Sequence, residues 1–206
     1  MASRLPRAFF ARPSVEVAPD LLGHVLARRV RGGRLLRARI VETEAYEPDD
    51  PASHAFRGPT PRNATMFGPP GRLYVYFTYG MHFCMNVVTR AEGEGSAVLL
   101  RAAEPLEGLE AMAERRGIDR TRDLCRGPAR WTRAFDVDRE LDGEDLVGSD
   151  RIWLERGAAV ARMVTSPRIG VRVGTRRPWR FAEADGRWTS GPAALSRSPV
   201  RAPSRP

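Results

Sequence analysis

The sequence predicts a mixed α/β (α+β) domain built on a largely antiparallel sheet. Three observations lead there. Runs rich in β-branched and aromatic residues alternate with turn signals at short spacing, so successive strands join through hairpins. Strands and helices do not alternate regularly, and neither GxGxxG nor GxxxxGKS/T occurs, which excludes dinucleotide-binding and P-loop readings. Finally, 206 residues with 42% hydrophobic and 29% charged content suit one domain that can bury a sizeable core.

Taken in order, residues 1–12 read as a flexible Arg-rich arm and residues 13–191 as the folded domain. Val15 to Arg29 holds a helix candidate, with Pro19 and Asp20 at its start and Leu21, Leu22, Val25 and Leu26 as its apolar face. Gly32-Gly33 signals a hairpin turn before strand formers from Leu35 to Thr43. Residues 47–72 carry six prolines and three glycines, which predicts a long loop, and loops of that length in a compact domain usually have a function. LYVYFTYGMHFCMNVV (73–88) reads as two apolar strands joined at Tyr79-Gly80. Residues 97–105 form a buried strand candidate, Leu106 to Arg116 a short helix, and 117–150 a helical and looped stretch. RIWLERG, SPRIGVRV and WRFAEADGRWTSG are short strands or turns, and 192–206 has the composition of a disordered basic tail.

The net charge is +9 and the isoelectric point near 10.9, which points to a polyanionic partner, most simply nucleic acid. All 34 basic residues are arginine, so no side-chain amine is available for Schiff-base chemistry. Two cysteines, Cys84 and Cys125, make no disulfide framework. No run approaches the roughly 18 apolar residues of a membrane helix, and the N-terminal stretch lacks a signal peptide's apolar core, so a cytoplasmic protein is expected. The three histidines are far apart in sequence, with no HxxxH or CxxC, so neither a metal nor an organic cofactor is expected.

Chemistry concentrates between residues 39 and 88. Glu42 and Glu44 occupy alternate positions of one strand, hence one face, and that strand runs into the Pro-rich loop. His54 lies in the loop. Tyr46, Tyr74, Tyr76, Tyr79 and His54 fall near the two acids and near Arg57 and Arg62, a combination suited to a flat base with a phosphate backbone beside it. Tyr74 reads more simply as a strand former. Tyr79 is unusual, because hairpin tips favour Asn, Asp, Gly or Pro.

IVETEAY, His54, TPRN, MFGPPGRLYVYFTYGMHFCMNVV and AVLLRAAEPLEG, in this order and spacing, together resemble the alkyladenine (3-methyladenine) DNA glycosylase family. Weaker matches follow at LCRGP, IWLERG, PRIGV and PWRF, while RGPARWTRAFDVDRE departs from the family pattern at Trp131 and Phe135. The resemblance implies one domain on a curved sheet with a protruding hairpin and surrounding helices. It implies a monomeric enzyme that excises alkylated or deaminated purines from double-stranded DNA. Glu44 then matches the carboxylate that activates water, and Tyr46, His54 and Tyr76 match residues that stack on the extruded base. Asn86 matches the residue that crowds the amino group of normal guanine, and Tyr79 the wedge that fills the vacated stack. Arg57, Thr60, Arg62 and Arg101 are the candidate contacts to the DNA backbone. The alternative is a non-catalytic basic nucleic-acid-binding module; a bifunctional glycosylase/lyase is disfavoured by the missing lysine.

The resemblance also constrains the hairpin. Tyr76 and Asn86 face one pocket only if opposed residues sum to an even number, because side chains alternate with period two. A two-residue Tyr79-Gly80 turn gives an odd sum, so a three-residue loop or a bulge is expected near the tip.

Overall fold

The computed structural model describes residues 3–78 and 80–197. Tyr79 and the tail beyond 197 lie outside the described residues, and with them the wedge and most of the expected basic tail. A single domain is organised around a curled antiparallel sheet. Its main path runs β3 (Leu73–Thr78), β4 (His82–Thr89), β5 (Ser96–Glu107), β2 (Leu35–Tyr46), β1 (Val25–Arg29), β6 (Ile152–Glu155). Two short strands, β7 (Met163–Ser166) and β8 (Arg180–Glu183), pair with each other, and β8 also pairs with β2. Every pairing is antiparallel, as the hairpin-rich sequence predicts. No helix among the described residues is long and apolar enough to cross a membrane.

The strand β2 organises the site. Residues 35–39 pair with β1, residues 42–44 pair with β8, and the register against β5 shifts on either side of Glu42. Such bulges bend a strand and raise its twist, which is how one strand changes neighbours and turns its C-terminal end inward. Val87, Val98, Leu100, Ile40 and Leu26 fill the core beneath, with Trp131 and Phe135 of α4 (Pro128–Ala134) fully buried against each other edge to face at 5.9 Å. The two residues that depart from the family pattern therefore serve as core ballast.

Three expectations need correction. The helix candidate within Val15 to Arg29, expected to start at Pro19 and Asp20, is instead a short α2 (Ser14–Asp20) that ends there, followed by β1. Gly23 separates them at a φ of +90°, and a Cβ there would lie 2.0 Å from the Ala158 carbonyl oxygen, so the chain must turn where the helix was to continue. Leu26 then pairs with both Ala38 and Leu154, and this cross-strand pairing overrides the helical spacing of the leucines. Next, the arm is docked from residue 3: the Leu5 N–H bonds the Leu154 carbonyl, and Leu5 and Phe10, the latter in α1 (Arg7–Phe10), are buried. Burying two large apolar side chains outweighs the arginines around them, Arg4, Arg7 and Arg12. Finally, the start of the expected tail packs down, because Ser196 is buried and bonds Arg180.

The loop of residues 47–72 matches expectation, with one turn of 3₁₀ helix (Ala64–Phe67) as its regular structure. α3 (Leu109–Arg116) supplies the expected short helix after β5. SPRIGVRV, expected as a strand or turn, forms irregular backbone after β7.

Candidate active site

In the β3–β4 hairpin, Tyr74 opposes Asn86, Tyr76 opposes Cys84 and Thr78 opposes His82. Each pair sums to 160, so three residues separate the last rung and the even register holds as expected. Tyr74, Tyr76, Cys84 and Asn86 thus share one face. Asn86 in turn opposes Leu99 on β5, and Leu99 opposes Glu44 on β2. One row of the curled sheet therefore carries Tyr74, Asn86, Leu99 and Glu44, with Tyr46 and Arg101 two residues further along their strands.

This row floors a cavity of about 480 Å³, within the size range of small-molecule sites. The Pro-rich loop closes one side with Pro51, Ala52, His54 and Met66, and the segment after β7 closes another with Ile169 to Val173. Glu44 is the one carboxylate among the described residues that line it. Its side chain is fully buried. Oε1 accepts the Ile169 N–H at 2.8 Å and pairs with the Arg101 guanidinium at 3.3 Å, and Oε2 accepts the Tyr46 hydroxyl at 3.0 Å. Burial pushes the carboxyl above its ordinary value and outweighs Arg101 and the two donors that favour the charged form; neighbouring Glu42 adds to the rise. The site thus holds an oriented carboxylate that takes a proton readily.

Glu42 does not line the cavity. It accepts bonds from Arg101 Nε, Arg180 Nε, and both the N–H and hydroxyl of Ser190. Arg180, fully buried, spends its other donors on Ser166, Ser190, Leu195 and Ser196. Glu42 is therefore the anion of a sealed network that ties the C-terminal segment to β2.

Tyr46, His54, Tyr74 and Tyr76 all line the cavity, whereas Tyr79 lies outside the described residues. Tyr46 stays a hydroxyl donor because burial and the adjacent Glu44 drive its phenol well above 10. Tyr76 is raised by burial as well, and Tyr74 to about 12. The His54 ring stands edge-on to Tyr76 at 4.5 Å, and its Nδ1 lies 3.0 Å from the Tyr74 hydroxyl. Although His54 keeps an exposed edge, desolvation by these rings and then the Arg62 cation lower its pKa, so the imidazole is neutral at physiological pH. Asn86 donates from Nδ2 to the Tyr74 carbonyl at 3.1 Å. Tyr74, read from sequence as a mere strand former, is both core and cavity wall.

Arg57, Thr60 and Arg62 line a smaller cleft of about 250 Å³ that shares Pro51, His54 and Tyr74 with the main cavity. All three are exposed. Arg62 bonds the Phe77 carbonyl, so it braces the hairpin to the loop. Arg101, expected as a contact to the DNA backbone, is instead buried on the cavity floor between Glu42 and Glu44. A strand position facing two acids gives its guanidinium a better partner than solvent.

Sequence reasoning missed Asn63, Ile169, Arg168 and Asp50. Asn63 accepts from the Thr60 N–H and hydroxyl and donates to the His54 and Gly58 carbonyls, so it staples the loop that carries His54. Its place in TPRN was the available signal. Ile169 acts through its backbone, which no side-chain pattern reveals. Among the described residues, no group of three His, Cys, Asp or Glu side chains is placed to hold a metal ion.

Comparison with known proteins agrees with this geometry. A family model described as methylpurine-DNA glycosylase (MPG) matches residues 8–187. A Burkholderia lata protein, provisionally named a 3-methyladenine DNA glycosylase, is 54% identical over 193 residues, covering 91% of each chain. Proteins of the same name from Carboxydothermus hydrogenoformans and Streptomyces avermitilis are 47% and 50% identical, covering 90% and 86% of this chain and 98% and 86% of their own. With the match spanning the strands, the loop and the segment that together enclose the cavity, the chain belongs to the methylpurine-DNA glycosylase family.

Proposed function

We propose that the cavity receives a damaged purine turned out of duplex DNA, and that Glu44 activates the water that hydrolyses its N-glycosidic bond. The observation that carries this reading is the one carboxylate lining the cavity among the described residues, oriented by two hydrogen-bond donors and the Arg101 cation and flanked by Tyr46, Tyr76 and His54. A base inside a duplex hides its glycosidic bond, so the enzyme must extrude it, at a cost of a few kcal/mol of unstacking. Methylation at N3 or N7 makes a purine cationic, which improves it as a leaving group and strengthens stacking on tyrosine faces. The sugar develops oxocarbenium character as the bond lengthens, and one carboxylate both stabilises that charge and takes the water's proton. 3-Methyladenine and 7-methylguanine are the primary candidates, with hypoxanthine and ethenoadenine as neutral ones. Arg57, Thr60 and Arg62 contact the backbone from the loop rim, and Asn86 crowds the amino group of normal guanine. The chain acts as a monomer.

Tyr79 enters the gap left by the base, a role supported by its position at the hairpin's three-residue tip. Tyr79→Ala is expected to slow excision most for lesions that pair well, because their extrusion is costlier. Equal slowing of well-paired and poorly paired lesions would remove the wedge from the mechanism.

Duplexes carrying single defined lesions test the reading. The purified protein is expected to release the free base and leave an intact abasic site, with no strand cleavage and no borohydride-trapped adduct, since the chain has no lysine. A trapped adduct that survives N-terminal blocking would contradict simple hydrolysis.

A further inference from the structure

The two donors that hold Glu44 come from separate parts of the chain. Tyr46 ends β2, whereas Ile169 lies in the segment after β7. Where they meet, Arg168 and Asp50 form an ion pair in which both side chains are fully buried. Arg168 Nη1 bonds Asp50 and also donates to the Ala45 carbonyl at 2.9 Å, and Nη2 donates to Asp50 Oδ1 at 3.0 Å. The guanidinium carbon lies 4.6 Å from the centre of the Tyr46 ring and 5.4 Å from that of Trp179. Arg168 Nε has no partner among the described residues. Neither Arg168 nor Asp50 lines the cavity, so the pair never meets the base.

A sealed ion pair is a poor source of stability, because desolvation cancels most of the attraction and an apolar pair of similar volume often does as well. What this pair supplies is geometry. Arg168 grips the peptide between Glu44 and Tyr46, covers a face of the Tyr46 ring, and is bonded directly to Ile169. One side chain thus sets the spacing between both donors and the carboxylate.

We propose that Arg168, clamped by Asp50, is a positioning residue that holds the Tyr46 ring and the Ile169 N–H in place on Glu44. The proposal rests on Glu44 as the reactive carboxylate. The cation behind Tyr46 also draws the ring's π density toward itself, so it tunes how strongly the ring favours a cationic base over a neutral one. The ionisable groups facing Glu44 are Arg101 from β5, Glu42 and Tyr46 from β2, Tyr76 from β3 and Cys84 from β4. Of these, Tyr46 is the one that Arg168 touches, and the Arg168 cation lowers its phenol pKa; Arg168→Lys keeps that charge, so a Glu44 titration that moves in this variant reports position.

The test uses the intact protein with Arg168→Lys, which keeps the charge but loses the fork, and Asp50→Leu/Arg168→Met, which removes both charges together. Three quantities are read: melting temperature, the Glu44 carboxyl titration followed by carbon NMR, and single-turnover excision of 7-methylguanine and hypoxanthine across pH. Both variants are expected to fold and to titrate Glu44 at higher pH than the unmodified protein. Their maximal rate should fall by about 10²-fold, the scale of a misplaced reacting group, with half-saturation little changed. The ratio of 7-methylguanine to hypoxanthine excision should shift in the double variant more than in Arg168→Lys. A melting temperature that falls while the Glu44 titration, acid limb and lesion ratio stay put would reduce Arg168 to a packing residue. The NMR titration keeps the two readings apart: if the unmodified protein excises neither base, the functional reading fails, yet an unmoved Glu44 titration alone overturns the positioning role.

Discussion

At the scale of residues, Glu42 and Glu44 sit two positions apart on one strand with opposite assignments. Glu42 neutralises a buried arginine network, so Glu42→Gln leaves Arg180 sealed without a counter-charge and is expected to cost about 3–5 kcal/mol, read by denaturant unfolding. Glu44 behaves the other way. Its folded-state pKa is raised, so its ionisation costs stability as pH rises through the window between the unfolded and folded values. Glu44→Gln should therefore melt at or above the unmodified protein at neutral pH, with the gap closing in acid. The same shift sets the activity profile: the base form is lost as pH falls through the raised value, so the acid limb should lie above the ordinary glutamate value of about 4.3. An acid limb at or below that value would put another group in the role. IVETEAY showed two acids on one face, but not which one meets the cavity. The deciding partners, Ile169 and Ser190, lie 125 and 148 residues downstream, beyond any local pattern.

Among the elements, the hairpin and the Pro-rich loop divide the work of shaping the cavity. The hairpin register followed from period-two alternation once the resemblance put Tyr76 and Asn86 on one face, because face assignment then needs only an even sum. The loop was legible as a loop, yet its staple was not. Asn63→Ala removes the partner of the Thr60 N–H and of the His54 carbonyl, and is expected to cost about 1–3 kcal/mol and to weaken lesion binding through a loosened His54. Unchanged melting and binding would show that Pro59, Pro61 and the 3₁₀ turn hold the loop by themselves. The helix expected over Val15 to Arg29 failed where leucine spacing fitted two periods and long-range pairing with β2 and β6 decided between them. Trp131 and Phe135 show a similar limit: packing against β4 and α3 explains them, and neither neighbour is close in sequence.

For the whole molecule, the excess of arginine is a prediction about DNA. Binding to an undamaged duplex should weaken linearly in log–log terms with added salt. Arg57→Ala or Arg62→Ala should each reduce that slope by about one while leaving lesion preference intact. A change in preference would mean that these side chains reach the base. The family fold was legible because its strings fall on the strands and loop that build the cavity. Docking of residues 3–12 and 192–197 was not, since the first carries three arginines and the second opens an Arg- and Pro-rich stretch, and both are held by a few buried anchors: Leu5, Phe10 and Ser196. The most direct measurement of the whole reading is single-turnover base release by Glu44→Gln beside lesion-DNA binding by the same variant. Binding close to that of the unmodified protein with release slower by at least about 10²-fold is the expected result, the scale of a lost general base. Release at the unmodified rate would contradict it.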